Sequence, residues 1–180
     1  MIKDEKKIAI YPLSGDPFTA GHFDIVNRAD KLFISRDIHV VIANNRDKKH
    51  FLSIDERLAI AKASLGKLND KVKLVSYDGI ISEYAKEHNA DVMVRGIRDG
   101  LDFSYEVQLE QFTRGTSDLE TVYLSPYTEH LNTSSSLVRM FIQSGNILKA
   151  KEYMVPEGFE TMLELIERRQ DRKEVGNGAS

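Results

Sequence analysis

The turn Ser14-Gly15-Asp16-Pro17-Phe18-Thr19-Ala20-Gly21-His22 lies between two patterned segments. Before it, Lys7 to Leu13 is a short apolar-rich run. After it, Phe23, Val26, Ala29 and Phe33 recur at helical spacing. A hydroxyl and a glycine at a strand's end let backbone N–H groups approach an anion. Gly21 permits close approach at the helix start, and the helix N-terminus adds free N–H donors and a positive partial charge. His22, in the first helical turn, points towards whatever sits there. The plainer reading is a Gly-Asp-Pro turn beside a surface histidine. The strand–turn–helix context is the warrant for the anion-site reading. No GxxxxGK[ST] is present, which argues against a P-loop kinase or GTPase.

Further candidates lie downstream. Asp47-Lys48-Lys49 reads most simply as a solvated loop, although a lysine ammonium is a good point charge for a phosphate. Arg95-Gly96-Ile97-Arg98 ends an apolar run. Its guanidinium groups suit paired N–H donation to phosphate, or they pair with Asp99 or Asp102. Asp102 and Glu106 share a helix face at a spacing compatible with acid–base work, though an exposed glutamate is the default. In Thr133-Ser134-Ser135-Ser136-Leu137-Val138-Arg139 the serines read first as a helix N-cap. They also present hydroxyls and N–H groups to an anion, with an arginine nearby.

These residues need a frame. Strand patterns recur at Lys7 to Leu13, Ile38 to Ala43, Val72 to Tyr77, Asp91 to Val94 and Thr121 to Leu124. The second, IHVVIA, reads as buried on both faces. Helices are predicted after Ser53, which forms a capping box with Glu56, and over Ile80 to His88, Leu101 to Arg114 and Ser134 to Gln143. In the third of these, Phe103, Val107 and Phe112 fall near one face. A last helix opens at Pro156-Glu157 and carries Met162, Leu163, Leu165 and Ile166. Strand–helix alternation predicts an α/β fold with a five-stranded parallel sheet and helices on both faces, whose ligand site lies at the carboxyl ends of the strands. We expect one domain over 1–168, then a polar tail over 169–180 (from Arg168 the chain reads RRQDRKEVGNGAS) that ends in disorder.

Composition narrows the function classes. Of the 180 residues, 41% are apolar and 29% charged, with 25 Lys+Arg against 28 Asp+Glu. That balance, with no Trp and no long basic run, places a nucleic-acid partner low. Absent cysteine removes disulfides, thiol nucleophiles and zinc–thiolate sites. The charged start, MIKDEKK, is unlike a signal peptide, and no uncharged run approaches the ~20 residues of a membrane helix. The expectation is a cytoplasmic protein with no membrane partner.

Several elements together are similar to one family. Thr19-Ala20-Gly21-His22 matches the TxGH form of the nucleotidyltransferase signature, with Tyr11-Pro12 before it and Phe23-Asp24-Ile25-Val26 after it. The Lys48-Lys49 pair, Asp55-Glu56-Arg57, the stretch Arg95 to Glu106 and the Ser-Ser-Ser-Leu-Val-Arg element follow in order. This resembles bacterial phosphopantetheine adenylyltransferase, a Rossmann-like nucleotidyltransferase, from about Ile8 to about Leu165. There are departures. The chain has Leu13-Ser14-Gly15 where the family has Gly-Ser/Thr-Phe, Thr113-Arg114 where it has Asn-Arg, and Ile81 at an apolar pantetheine contact.

The resemblance implies adenylyl transfer from ATP to 4′-phosphopantetheine, with Mg2+ as cofactor, a homohexameric assembly and regulation by coenzyme A. By it, His22 stabilises the transition state, while Ser14 and Lys48 orient the phosphates. Ser14, Lys48, Ile81 and Arg95 bind the acceptor. Ser14, Gly15, His22, Gly96, Ile97, Arg98, Glu106, His130, Leu131, Asn132, Thr133, Ser134, Ser135 and Ser136 line the ATP site, with no dedicated protein ligands for the metal. The alternatives are a related enzyme, such as nicotinamide mononucleotide adenylyltransferase or a cytidylyltransferase, and a nucleotide-binding protein without turnover. The segment Arg95 to Glu106 favours the pantetheine branch.

Overall fold

The structure is a computed structural model that describes residues 7–44, 49–66, 68, 70–114 and 119–177, with backbone alone at 112–114, 170 and 172–177. Five strands, β1 (Lys7–Leu13), β2 (Arg36–Ala43), β3 (Val72–Tyr77), β4 (Ala90–Gly96) and β5 (Glu120–Leu124), form one parallel sheet in the order β3-β2-β1-β4-β5. The chain winds outward from β1 to β3, crosses back, and continues with β4 on the other side of β1. The switch point therefore falls between the carboxyl ends of β1 and β4, where open α/β sheets bind ligands.

The crossover helices are α1 (Ala20–Leu32), α2 (Ile54–Leu65), α3 (Ile81–Glu87) and α4 (Gly100–Arg114), and after β5 come α5 (Ser135–Gln143), the short α6 (Ile147–Ala150) and the long α7 (Pro156–Asn177). β2 is buried on both faces, as its unbroken apolar run predicts: Ile38, Val40, Val41 and Ile42 are inaccessible. Period-two alternation divides it between two cores. Ile38, Val40 and Ile42 pack with Tyr11, Phe18, Val26, Ile60 and Met162, whereas Val41 packs with Ile10, Met93 and Tyr84 on the α3 side. Sequence reasoning treats His39 as one of the buried strand positions. It is buried, and its Nδ1 meets the Tyr84 hydroxyl at 2.8 Å.

The apolar residues that open α4 are exposed. Leu101 is 86% exposed, and Phe103 is exposed apart from an edge-on contact with Tyr123 at 5.3 Å. The helix stands over the carboxyl edge of the sheet, so its inner face carries Asp102, Tyr105, Glu106 and Leu109 to a cavity. The expected end of the domain is corrected. α7 continues past Arg168 to Asn177. Arg169, the first residue assigned to the tail, donates to both carboxylate oxygens of Glu56 and, at 3.2 Å, to the Phe51 carbonyl. Two arginine N–H groups on one carboxylate anchor this turn of helix against the start of α2.

Candidate active site

Thr19 starts the site. It caps α1, and its Oγ accepts the His22 N–H at 3.4 Å while its own N–H donates to His22 Nδ1 at 3.1 Å. This is a capping box with histidine in place of the usual Glu or Gln. It fixes the imidazole at the helix N-terminus, packed 5.4 Å from the Phe18 ring. Because Nδ1 accepts, the neutral ring carries its proton on Nε2. Burial, and then the Arg98 charge, push His22 down from its ordinary 6.5 to about 4. At neutral pH the group is therefore an uncharged N–H donor.

His22 shares a cavity of about 680 Å³ with Tyr11, Ser14, Thr19, Gly21, Arg95, Gly96, Arg98, Asp102, Glu106 and the 130–139 segment. Two close approaches shape it. A Cβ on Gly96 would stand 3.2 Å from Ile25 Cγ1, so the glycine lets α1 lie tightly on β4. The Gly21 Cα faces Thr133, whose Cβ lies 3.5 Å from where a side chain would begin. α1 is tied to the 125–130 turn through Asp24 Oδ2, which accepts the Tyr127 N–H at 3.0 Å.

The two arginines of the β4 end are both ion-paired. Arg98 donates to Asp102 Oδ2 from Nε at 3.2 Å and to Oδ1 from Nη2 at 3.3 Å. Arg95 Nε lies 3.3 Å from Glu106 Oε2, a charge contact rather than a hydrogen bond, since Oε2 has no hydrogen-bond partner among the described residues. Burial raises the Glu106 carboxyl, Arg95 opposes that, and Asp102 adds to it. Tyr11, beneath them, is pushed well above its usual range by burial. Each arginine thus has a carboxylate partner of its own at the cavity.

The serine run caps a helix and lines the cavity. Ser134 caps α5 by accepting the Leu137 N–H at 3.1 Å. Ser135 donates to the Pro17 carbonyl at 2.8 Å, and Ser136 accepts from Arg139 Nη2 at 2.9 Å. All three line the cavity with His130 and Thr133. Arg139 Nη1 donates to the Asp16 carbonyl, joining α5 to the turn after β1.

That turn is held from behind by Arg57, which is 1% exposed. It donates to the Ser14 carbonyl at 2.9 Å, the Ala43 carbonyl at 3.1 Å and Asn44 Oδ1 at 2.6 Å. Asp16, also buried, accepts the N–H groups of Phe51 and Leu52 at 2.8 and 2.9 Å. Gly15 has φ +57° with Ile42 Cδ1 3.0 Å from its Cβ position, so this turn requires glycine.

Of the positions assigned by resemblance, Ser14, His22, Arg95, Gly96, Arg98, Glu106, His130, Thr133, Ser134, Ser135 and Ser136 meet at the cavity. Gly15, Ile97, Leu131 and Asn132 adjoin its lining residues in the chain without lining it. Ile81 packs at the α3 cluster with Tyr84 on the opposite face. Lys48 lies outside the described residues. Tyr11, Thr19 and Tyr105 line the cavity although no role had been given to them, and so do Asp102 and Arg139, which the sequence set beside the arginines and the serine run. The T-x-x-H spacing of a capping box was the sequence signal for Thr19.

The switch point of the parallel sheet carries a capped helix start, a histidine and paired arginines, and sequence relatives give the class of protein, a nucleotidyltransferase. Residues 14–141 match the cytidylyltransferase-like family, and the fold is similar to Plasmodium falciparum nicotinic acid mononucleotide adenylyltransferase complexed with NaAD (TM-score 0.65, 18% identity, 89% of this chain and 96% of that one). The chain is 38% identical to the phosphopantetheine adenylyltransferase of Vesicomyosocius okutanii subsp. Calyptogena okutanii over 159 residues, which is 88% of this chain and 97% of that relative. It is 40% identical to the phosphopantetheine adenylyltransferase of Synechococcus sp. (strain CC9902) over 150 residues, 83% of this chain and 88% of that one. The chain belongs to the phosphopantetheine adenylyltransferase family.

Proposed function

We propose that the protein transfers the adenylyl group of MgATP to 4′-phosphopantetheine, giving dephospho-coenzyme A and pyrophosphate. The observation that carries this is a neutral, Nε2-protonated His22 in one cavity with Ser14, two arginines and the start of α5. A non-bridging oxygen of the acceptor phosphate attacks the α-phosphorus of ATP in line. The bond from that phosphorus to the β-phosphate bridging oxygen breaks, and pyrophosphate leaves with the electron pair. The acceptor is already an anion at neutral pH, so no strong general base is needed, and catalysis comes from positioning and charge stabilisation.

The residues take these roles. His22 Nε2–H donates to an oxygen on the α-phosphorus as negative charge grows there. It does so without proton transfer, because the ring stays neutral through ordinary pH. Ser14, at the end of β1, orients the acceptor phosphate. Arg95 exchanges Glu106 for the acceptor, and Arg98 exchanges Asp102 for the nucleotide phosphates. The hydroxyls and N–H groups at the start of α5 receive the triphosphate. Mg2+ would enter as part of the nucleotide, with phosphates and water supplying its ligands and the metal offsetting the negative charge of the triphosphate. Incubation with ATP, Mg2+ and 4′-phosphopantetheine, followed by mass spectrometry, should show dephospho-coenzyme A. Its absence would overturn the reading.

A further inference from the structure

Asp24 carries a buried carboxylate that the proposed chemistry does not use. It stands on α1 two positions after His22, outside the lining of the cavity. Its Oδ2 accepts the Tyr127 N–H at 3.0 Å, across 103 positions of chain. One turn further along α1, Arg28 donates to the Ser125 carbonyl and lies 5.0 Å from the centroid of the Tyr127 ring. A single helix thus grips the start of the 125–134 connection at a carbonyl, an N–H and an aromatic face.

That connection has little regular structure to hold it. Between β5 and α5 its only regular element among the described residues is one 3-10 turn, Thr128–His130. The Tyr127 ring is 56% exposed, so burial does not anchor it. In such a segment the path of the chain is set by the partners its backbone groups find. From Tyr127 the hydrogen bonds run into the cavity wall. The Tyr127 carbonyl accepts the His130 N–H at 2.8 Å, and the His130 carbonyl accepts the Thr133 N–H at 3.0 Å. Pro126, His130 and Thr133 line the cavity, and Ser134 after them caps α5. Gly21, on the same helix as Asp24, faces this wall: a Cβ there would lie 3.5 Å from Thr133 Cβ and 3.8 Å from the His130 carbonyl oxygen. A Tyr127 peptide released from Asp24 would therefore take His130 and Thr133 with it.

We propose that Asp24, assisted by Arg28, is a positioning residue for the nucleotide, fixing the His130 to Thr133 wall against the helix that carries His22. This rests on the adenylyl-transfer reading, with the nucleotide along His130 to Ser136. Because Asp24 and His22 ride on one helix, the hold keeps the wall and the histidine in one register. A supporting residue of this kind touches no substrate and acts through the geometry of the groups that do. Ser14 and Arg95 stand at the ends of β1 and β4, and the hold does not run through them.

The test is calorimetric titration of the full chain with MgATP and, separately, with 4′-phosphopantetheine, beside amide hydrogen exchange without ligand. Asp24→Ala removes the acceptor of the Tyr127 N–H, whereas Asp24→Asn keeps an oxygen there. Asp24→Ala should speed exchange at the Tyr127, His130 and Thr133 amides and weaken MgATP binding about tenfold, as loss of one buried hydrogen bond does. Its affinity for 4′-phosphopantetheine should not change, and Asp24→Asn should restore both other readouts. Arg28→Ala, at a half-buried position, should move exchange and MgATP affinity the same way by a smaller factor, and it carries the test if Asp24→Ala does not fold. Unchanged exchange at those amides would overturn the proposal, as would unchanged MgATP affinity, equal losses for both ligands, no recovery in Asp24→Asn, or a wild type that binds no ATP. A wild type that binds ATP but forms no dephospho-coenzyme A fails the 4′-phosphopantetheine reading alone and leaves this result standing.

Discussion

The Thr19 N–H donates to His22 Nδ1 at 3.1 Å, and this contact selects which ring nitrogen carries the proton. A backbone N–H can only donate, so Nδ1 can only accept. The proton of the neutral ring sits on Nε2. Nitrogen-15 spectroscopy at pH 7 should show that single tautomer, with charging only near pH 4. His22→Ala should lower kcat by orders of magnitude with little loss of ATP affinity, since the donor acts on charge that develops in the transition state. Near-wild-type kcat would remove His22 from the mechanism.

The same shift links pH to stability. Unfolded, His22 titrates near 6.5; folded, near 4. As pH falls below about 6.5 the unfolded chain takes up a proton that the folded chain refuses. Stability therefore declines down to about pH 4, by up to roughly 3 kcal/mol, and the effect is absent above 6.5. Urea unfolding at pH 7.5 and 5 should show that decline, and His22→Gln should reduce it.

Arg95 and Glu106 face each other at 3.3 Å where the acceptor is assigned. Arg95→Ala should raise the acceptor KM about 10- to 100-fold, the worth of a charged hydrogen bond, and leave the ATP KM nearly unchanged. Arg95→Lys should restore part of the loss, because a lysine keeps the charge without the fork. Steady-state kinetics with each substrate varied would check both.

Arg57 joins the carboxyl ends of β1 and β2 through the Ser14 and Ala43 carbonyls. Asn44 extends the link to β3, donating to Asp78 Oδ1 at 2.7 Å. Arg57→Met would strand three acceptors at once. It should cost about 3 kcal/mol in urea denaturation and disorder the Ser14 turn, with a matching fall in activity.

Gly158 lets α7 close on α2. A Cβ there would lie 2.1 Å from Ser64 Oγ, whose hydroxyl donates to the Ile60 carbonyl. Gly158→Ala should destabilise by about 1–3 kcal/mol. Combining it with Ser64→Ala should recover most of that, because the clash is with Oγ. Thermal unfolding of both single variants and the double variant closes the cycle.

The elements legible in the sequence were those whose signal is local. The Ser53–Glu56 capping box forms as read, with the Ser53 N–H donating to Glu56 Oε2 at 2.8 Å. β2 showed its two-sided burial in its own apolar run. The Thr19 to His22, Arg95 to Glu106 and Thr133 to Arg139 elements meet at one cavity, since strand–turn–helix alternation brings every strand's carboxyl end to one edge. What was not legible depends on partners far along the chain. Nothing local says that Arg57 is a buried hub rather than a surface charge, or that Arg169 finds Glu56 113 positions away. The exposure of Phe103 on α4 was not legible either, because apolar spacing reports a face without saying what covers it.

The most direct measurement is pyrophosphate release with ATP and Mg2+, with 4′-phosphopantetheine, nicotinamide mononucleotide or no acceptor in parallel. Release with 4′-phosphopantetheine alone is the predicted result, and it would be abolished in His22→Ala. Release that is equally fast with nicotinamide mononucleotide, or no release despite bound ATP, would contradict the account.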